Sequence, residues 1–378
     1  MIVVIGAGLI GLAIAFELAR RGASVRVVDA GEPAAAASWA GAGMLAPYSE
    51  ELTQVDPALA VLGARSLALY PAFVDEVRAA SGVDPRLRLD GLLVAACNDG
   101  EGRRLHARAA QLAGDGIAAR YLERREAVSL EPSLGPSVRG ALLCESEGQV
   151  DNRRLGRALR AACEARGVRI DAHAGRVALE ADARRVLGVR SELGFIPAQT
   201  VVNAAGAWAG ELAGVPEAAR ISVEPVKGQM LALAIPRGFM RRVVWAPGAY
   251  LVPRDDGRLL IGATVERAGE DVRVTAGGLR SLLDAALAAL PALADFALVE
   301  SWAGLRPGTR DGLPWLGPTA ISGYFVAAGH FRNGILLAPA TARALADAIE
   351  GRASDFSLAA FAPSRAQEPP PASAKESA

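Results

Sequence analysis

Cysteine is scarce in this chain of 378 residues, and the three present, Cys97, Cys144 and Cys163, are widely separated with no CxxC spacing. This argues against a disulfide framework or a zinc site and makes a reducing cytoplasm the default compartment. Histidine is equally rare: His106, His173 and His330 are scattered, and no metal site is expected. Net charge is missing too, since 41 Lys and Arg balance 41 Asp and Glu. Without a basic excess there is no support for binding nucleic acid or an anionic membrane. Only one long hydrophobic run stands out, "MIVVIGAGLIGLAIAFELARR" at the amino end. It has no positive leader, is peppered with glycine, and its apolar part is shorter than the roughly 20 residues a spanning helix needs. A buried strand followed by a helix explains it. What remains is ordinary for a globular protein, with 51% hydrophobic and 22% charged residues and length enough for two domains and a large core.

The same amino-terminal run carries the first chemical motif. "VVIGAGLIG" sets Gly6, Gly8 and Gly11 in a GxGxxG array between a β-branched run and an amphipathic helix. Gly6 allows the tight turn, Gly8 leaves backbone open to a pyrophosphate, and Gly11 lets helix and strand pack closely, with the helix N-terminus facing phosphate. A second apolar run, "SVRVVD", ends in Asp29, placed to accept hydrogen bonds from a ribose diol. The fingerprint does not separate NAD from FAD. The text after it does: instead of another strand–helix unit comes "GEPAAAASWAGAGMLAP", small residues around Ser38 that let backbone lie against a flat ring.

Further along, the text alternates. Residues 51–80 read as helix and 86–97 as strand; 151–167 read as an amphipathic helix capped by Asp151. Short strands fill 168–203, closing on "VVNAAGAWAGEL", a buried strand running into small residues and then a helix. Residues 223–264 are strand-rich with a hairpin turn at Asp255–Gly257, 276–290 are helical, "GYFVAAG" is a last buried strand, and a helix runs from about Gly334 to Glu350. Strand–helix units at the start, middle and end imply a discontinuous α/β domain interleaved with a mixed antiparallel domain. "PSRAQEPPPASAKESA" (363–378) reads as a disordered tail.

"GHFRNGILLAP" (329–339) raises a question of charge. Arg332 stands at the first turn of a helix, where the dipole already favours anions, so a negative group is expected to collect there.

Several segments together resemble a known family: "WAGLRPGTRDGLPWLG" (302–317), "GHFRNGILLAPAT" (329–341), "PVKGQ" (225–229), "YLVPR" (250–254), "IGAT" (261–264) and "AGAGMLAP" (40–47). The chain is similar, from Met1 to about residue 360, to the D-amino-acid oxidase superfamily of FAD enzymes, and within it to the glycine-oxidising branch of bacterial thiamine biosynthesis. The resemblance implies a Rossmann-like FAD-binding domain (1–85, 146–215 and 301–362) and a substrate-binding domain (86–145 and 216–300), similar in fold to p-hydroxybenzoate hydroxylase. It implies non-covalent FAD, a soluble cytoplasmic homotetramer, and oxidative deamination of glycine, sarcosine and small D-amino acids by hydride transfer to flavin N5, with O2 reduced to H2O2.

Carried over by position, Leu9 and Ile10 lie at the pyrophosphate turn with Gly6, Gly8 and Gly11, and Asp29 and Ala30 at the ribose. Ala37, Ser38, Ala42, Gly43 and Met44 contact pyrophosphate and flavin, and Arg176 or Val177 meets the adenine. Gly329, His330, Phe331, Arg332, Asn333, Gly334, Ile335 and Leu336 approach the isoalloxazine. Arg306 is expected to clamp the substrate carboxylate, Tyr250 to add a hydroxyl donor, and Arg332 to hold the amino-acid head group. Val265 is expected to line the pocket, where part of the family has Met. The motifs hold no nucleophile triad, metal cluster or paired carboxylates, and oxidation of an amine by flavin needs none. Two alternatives stay open: a related D-amino-acid or sarcosine oxidase or dehydrogenase, and a flavin-binding scaffold without turnover. No cysteine lies near 300–340 for covalent attachment of FAD.

Overall fold

The apolar amino end folds as strand Ile2–Ile5 and helix Leu9–Arg20, in a computed structural model that describes residues 1–50, 56–182 and 184–367. Ile2–Ile5 is central to a six-stranded sheet. In order across the sheet the strands are Trp315–Pro318, Tyr324–Ala328, Thr200–Asn203, Ile2–Ile5, Val25–Val28 and Arg169–Asp171. All neighbours are parallel except the pair Trp315–Pro318 and Tyr324–Ala328. Both faces are covered, which is why these strands read as continuous hydrophobic runs. Val4, Val27 and Val202 point into a core built with the helices Leu9–Arg20, Pro57–Ser81, Asn152–Ala165 and Gly334–Glu350. Their neighbours Val3, Ile5, Val28 and Val201 pack on the opposite side against a three-stranded sheet, Ala178–Ala181, Val186–Ser191 and Gly194–Pro197.

The second sheet has eight strands, in the order Leu298–Gly308, Glu224–Ala234, Arg258–Gly262, Ala249–Pro253, Val243–Ala246, Leu92–Ala96, Gly140–Cys144 and Ala119–Glu123. It is antiparallel except where Val243–Ala246 lies beside Leu92–Ala96. Side chains alternate along each strand. Leu231, Leu233, Leu251 and Ile261 therefore bury against Leu282 and Ala286 of the helix Ala276–Ala289. Met230, Ala232, Tyr250 and Val252 face the other way, onto Ala40 and Ala42. That alternation alone turns Tyr250 toward the small-residue loop. Asp255–Gly257 forms the hairpin turn, with Gly257 at φ +88°.

Three readings are adjusted. The strand Leu298–Gly308 is continuous and pairs with Glu224–Ala234, so the larger sheet runs through the boundary expected at 300/301. Gly206–Glu211 is a 3₁₀ helix, not an α-helix. Pro363–Gln367, placed in the disordered tail by composition, is also 3₁₀. Its Arg365 donates to Asp311 Oδ2 (2.8 Å) and Leu313 O (2.7 Å) and lies 3.5 Å over the Trp315 ring, contacts that composition does not reveal. Residues 51–55 of the expected helix, and 368–378 of the tail, lie outside the described residues.

The helix Pro57–Ser81 is opened by Asp56, whose carboxylate accepts from Ala58 N, and closed by Gly82 in the left-handed conformation. It is long and apolar enough to cross a membrane by length and composition. Here Leu59, Leu62, Leu67, Tyr70, Val74 and Val77 are buried in the core that it shares with Gly334–Glu350. Pro339 inside that second helix has no N–H for the carbonyl of Ile335. The Tyr70 hydroxyl donates to Ile335 O in its place. Ser66 inserts one position further on, donating to Leu336 O (2.6 Å) and accepting from Ala340 N (3.2 Å). Two buried hydroxyls thus carry the first turns of Gly334–Glu350 past the proline, and those turns border the site.

Candidate active site

Two helix N-termini open onto one cleft of about 1110 Å³, mouth included, between the two large sheets. Gly8, Leu9 and Ile10 contribute one end, and His330, Phe331, Arg332, Gly334 and Ile335 the other. Ala37, Ser38, Ala40, Gly41, Ala42, Gly43 and Met44 line the wall between them. The glycine fingerprint shapes the first end. Gly6 has φ +100°, and a Cβ on Gly11 would fall on the carbonyl oxygen of Gly6, so helix and turn touch only without side chains there. Asp29 ends the second strand. Its Oδ2 accepts from Ala7 N (2.5 Å) and its Oδ1 from Gly31 N (2.8 Å), which sets the carboxylate beside the glycine turn. Leu9 N donates to Ser38 Oγ (2.9 Å), tying the helix N-terminus to the small-residue loop.

That loop is held from behind by polar groups that reading the sequence for motifs does not assign. Arg254, the last residue of "YLVPR", is buried. Its Nη2 donates to Ala42 O and Asn152 Oδ1 (2.9 Å each), and its Nη1 to Gln149 Oε1 (2.5 Å) and Val150 O (3.2 Å). Burial lowers its pKa to about 10. Asn152 Nδ2 donates to Ser38 O (2.8 Å), and Trp302 Nε1 to Ala40 O (2.9 Å). A loop of alanines cannot pack itself into one shape, and these donors give it one.

At the far end stand the charged groups. Arg306 Nη1 donates to Thr264 O (3.0 Å) and Lys227 O (3.3 Å), and has no carboxylate partner among the described residues. Its guanidinium lies over Gly228, where a Cβ would collide with it. Arg332 differs: its Nε is 2.9 Å from Glu50 Oε1, and its guanidinium sits 5.3 Å from the centre of the Trp245 ring. Burial pushes the Glu50 carboxyl up, opposed by Arg332 and Arg306. Burial likewise raises the Tyr250 hydroxyl against the pull of the same two cations. His330 Nε2 lies 3.1 Å from Thr341 Oγ1, and burial lowers its pKa to about 3. It is neutral at working pH and is no proton reservoir.

Several expected positions fall elsewhere. Val265 is 59% exposed and outside the cavity lining. Its neighbours Thr264 and Glu266 bond to Gln229, Thr264 Oγ1 accepting from Gln229 N (2.8 Å) and Glu266 Oε1 from Gln229 Nε2 (2.8 Å), in a segment beyond the strand Arg258–Gly262 that leaves Val265 on the surface. Leu336 is buried in the helical core and Asn333 precedes the helix, so neither lines the cleft, nor does Gly329. Gly6, Gly11, Asp29, Ala30, Arg176 and Val177 also lie off the lining. The segment carrying Arg176 is tied to Asp29 through Ala174 N and Asp29 O (2.9 Å). In the other direction, Glu50, Gly228, Met230, Gly304, Leu305 and Pro307 line the cleft without having been singled out. Gly228 sat in "PVKGQ"; nothing local marked Glu50.

A dinucleotide fits what is present. The stretch Ala37–Gly43 lines the wall with Gly, Ala and Ser, and two helix N-termini face the space. None of the three cysteines lines it, and all are free thiols.

Comparison with known proteins gives a consistent picture. Residues 1–348 match the DAO family, described as FAD dependent oxidoreductase. The chain is 37% identical to a glycine oxidase of Pseudomonas aeruginosa, covering 96% of this chain and 98% of that one. It is 39% identical over 97% of its length to the bifunctional protein ThiO/ThiG of Trichormus variabilis, of which it spans 55%. A crystal structure of glycine oxidase from Geobacillus kaustophilus superposes with a TM-score of 0.90 at 36% identity, covering 96% of this chain and 98% of that one.

Proposed function

This chain belongs to the DAO family of FAD-dependent oxidoreductases, and we propose that it oxidises glycine to glyoxylate and ammonia, consuming water and O2 and releasing H2O2. Sarcosine and small D-amino acids are further substrates in this reading. The observation that carries it is Arg306: a guanidinium on the cleft wall without a carboxylate partner among the described residues, facing the same space as Tyr250. A planar fork of donors matches a carboxylate. The backbone carbonyls of Thr264 and Lys227 fix its plane, and Gly228 leaves the space it occupies.

FAD, when bound, supplies the electron acceptor for the amine. Gly8, Leu9, Ile10 and Ala37–Met44 would hold it along the wall, and the N-terminus of Gly334–Glu350 would favour negative charge at the far end. The protein's contribution is orientation: a carboxylate pinned by Arg306 confines the substrate's α-carbon to one region of the cleft. Burial lowers the His330 pKa to about 3, so its imidazole is a weak base there.

The reading extends to the setting. The six-stranded sheet with its helices serves as the FAD-binding domain and the eight-stranded sheet as the substrate-binding domain. We infer further that the protein is a cytoplasmic homotetramer, and that it supplies a thiazole precursor for thiamine, a role in keeping with its likeness to a bifunctional protein ThiO/ThiG. The test is direct: purified yellow protein should bleach on anaerobic addition of glycine and release peroxide in air. Colour that no amino acid bleaches would instead indicate a flavin scaffold.

A further inference from the structure

We propose that Glu50 sets the class of substrate by engaging Arg332, leaving Arg306 as the one guanidinium for one substrate carboxylate, so that the cleft selects monocarboxylic over dicarboxylic amino acids. This rests on the amino-acid-oxidase reading and specifies it. Among the described residues, the charged side chains lining the cleft are Arg306, Arg332 and Glu50. Two cations and one anion leave a single positive charge, which one carboxylate neutralises. Were Arg332 unpaired, the same space would offer two guanidiniums and would suit a diacid.

The pairing is built in. Glu50 Oε1 accepts from Arg332 Nε at 2.9 Å, and the Glu50 side chain is only 14% exposed. The turn that carries Glu50 is pinned by a second buried carboxylate, Glu147, which accepts from Tyr48 N (2.6 Å), Ser49 N (2.9 Å) and the Ser49 hydroxyl. Glu50 N itself lies 3.2 Å from Ala46 O. Arg332 is held on its other side by the Trp245 ring. Neither partner is therefore free to swing away and admit a second carboxylate. Arg306, in contrast, spends Nη1 on two backbone carbonyls, stands beside the Tyr250 hydroxyl and has no carboxylate partner among the described residues.

The experiment compares wild type, Glu50→Gln, Arg332→Met and the double variant as holoenzymes. In a binding arm, the flavin absorbance is titrated with acetate and with malonate. In a turnover arm, kcat/KM is measured for glycine, D-aspartate and iminodiacetate. Wild type should favour the monoacid. Glu50→Gln should shift the malonate-to-acetate affinity ratio, and the diacid-to-glycine turnover ratio, upward by roughly 10–100-fold, the worth of one charge-assisted contact. The double variant should lose that gain, because the released cation is gone. An unchanged ratio in Glu50→Gln, or a gain that survives removal of Arg332, overturns the proposal. The binding arm decides the matter even if glycine is not turned over, whereas failure of wild type to oxidise any amino acid would count against the functional reading alone.

Discussion

The hydroxyl of Tyr70 donates to the carbonyl of Ile335, the acceptor that Pro339 leaves without a helical partner. Tyr70 is fully buried, and burial pushes its pKa well up, so the group is always a donor. Tyr70→Phe keeps the ring and orphans the carbonyl. A loss of about 1–3 kcal/mol in unfolding free energy is expected, the cost of one unsatisfied buried acceptor. Because Ile335 lines the cleft, FAD should also dissociate faster. Denaturant unfolding and flavin release rates check both, and unchanged values would show that the proline is accommodated without Tyr70.

Arg254 is the central anchor of the alanine loop. Arg254→Met removes four hydrogen bonds at once and leaves Ala42 O, Gln149 Oε1 and Asn152 Oδ1 buried without that donor. The expected result is a destabilisation of about 3–5 kcal/mol and protein purified with substoichiometric FAD. The flavin-to-protein absorbance ratio is the measurement, and full occupancy would contradict the anchoring role.

Arg306→Ala should lower kcat/KM for glycine by on the order of 3–5 kcal/mol in transition-state free energy. FAD content should be unchanged. Lysine at this position keeps the charge and loses the fork, so Arg306→Lys should recover only part of the loss. Near-full activity of the alanine variant would move the carboxylate partner elsewhere.

Glu147 gives a pH dependence with a defined sign. Burial pushes its carboxyl up from 4.5 to about 7. A folded state that holds a proton more tightly than the unfolded chain is most stabilised below pH 4.5, and loses that stability as pH rises from there to about 7. The total change is on the order of 3 kcal/mol. Glu147→Gln can keep the contacts to Tyr48 N and Ser49 N through one oxygen, and should flatten the stability profile across this window. Guanidinium melts at pH 5, 6 and 7 for both proteins test it; parallel profiles would assign the pH dependence to other groups.

FAD should be released entirely by acid precipitation. Cys144 and Cys163 are buried with thiols pushed up to about 12, Cys97 is half-buried, and none lines the cleft. Yellow colour retained in the pellet would show a covalent bond to another side chain.

The amino-acid sequence by itself determined the glycine turn at the start of this protein. Gly6, Gly8, Gly11 and Asp29 lie within 24 residues of each other, and their conformations follow from turn geometry, helix–strand packing and a strand end, all local properties. Asp151 as a helix cap, Asp255–Gly257 as a hairpin and Gly334 as a helix start were legible for the same reason. Arg332 was legible as a cation at a helix start with no packing purpose in its own segment, and Arg306 through the segment "WAGLRPGTRDGLPWLG" that resembles the family.

Tertiary structure decided what each charge does. Arg306 and Arg332 were both expected at the substrate, yet the first has no carboxylate partner among the described residues and the second is held by Glu50 from nearly the opposite end of the chain. Val265 followed directly on a recognised motif, yet past the end of the strand Arg258–Gly262 it lies on the surface while Thr264 and Glu266 bond to Gln229. Arg254 reached Ala42 only because the eight-stranded sheet brings Ala249–Pro253 against the alanine loop. Periodicity reports which face of an element is buried, but the partner it meets there depends on strand order and register. Those are set by burial summed over whole sheets, and no single segment encodes them.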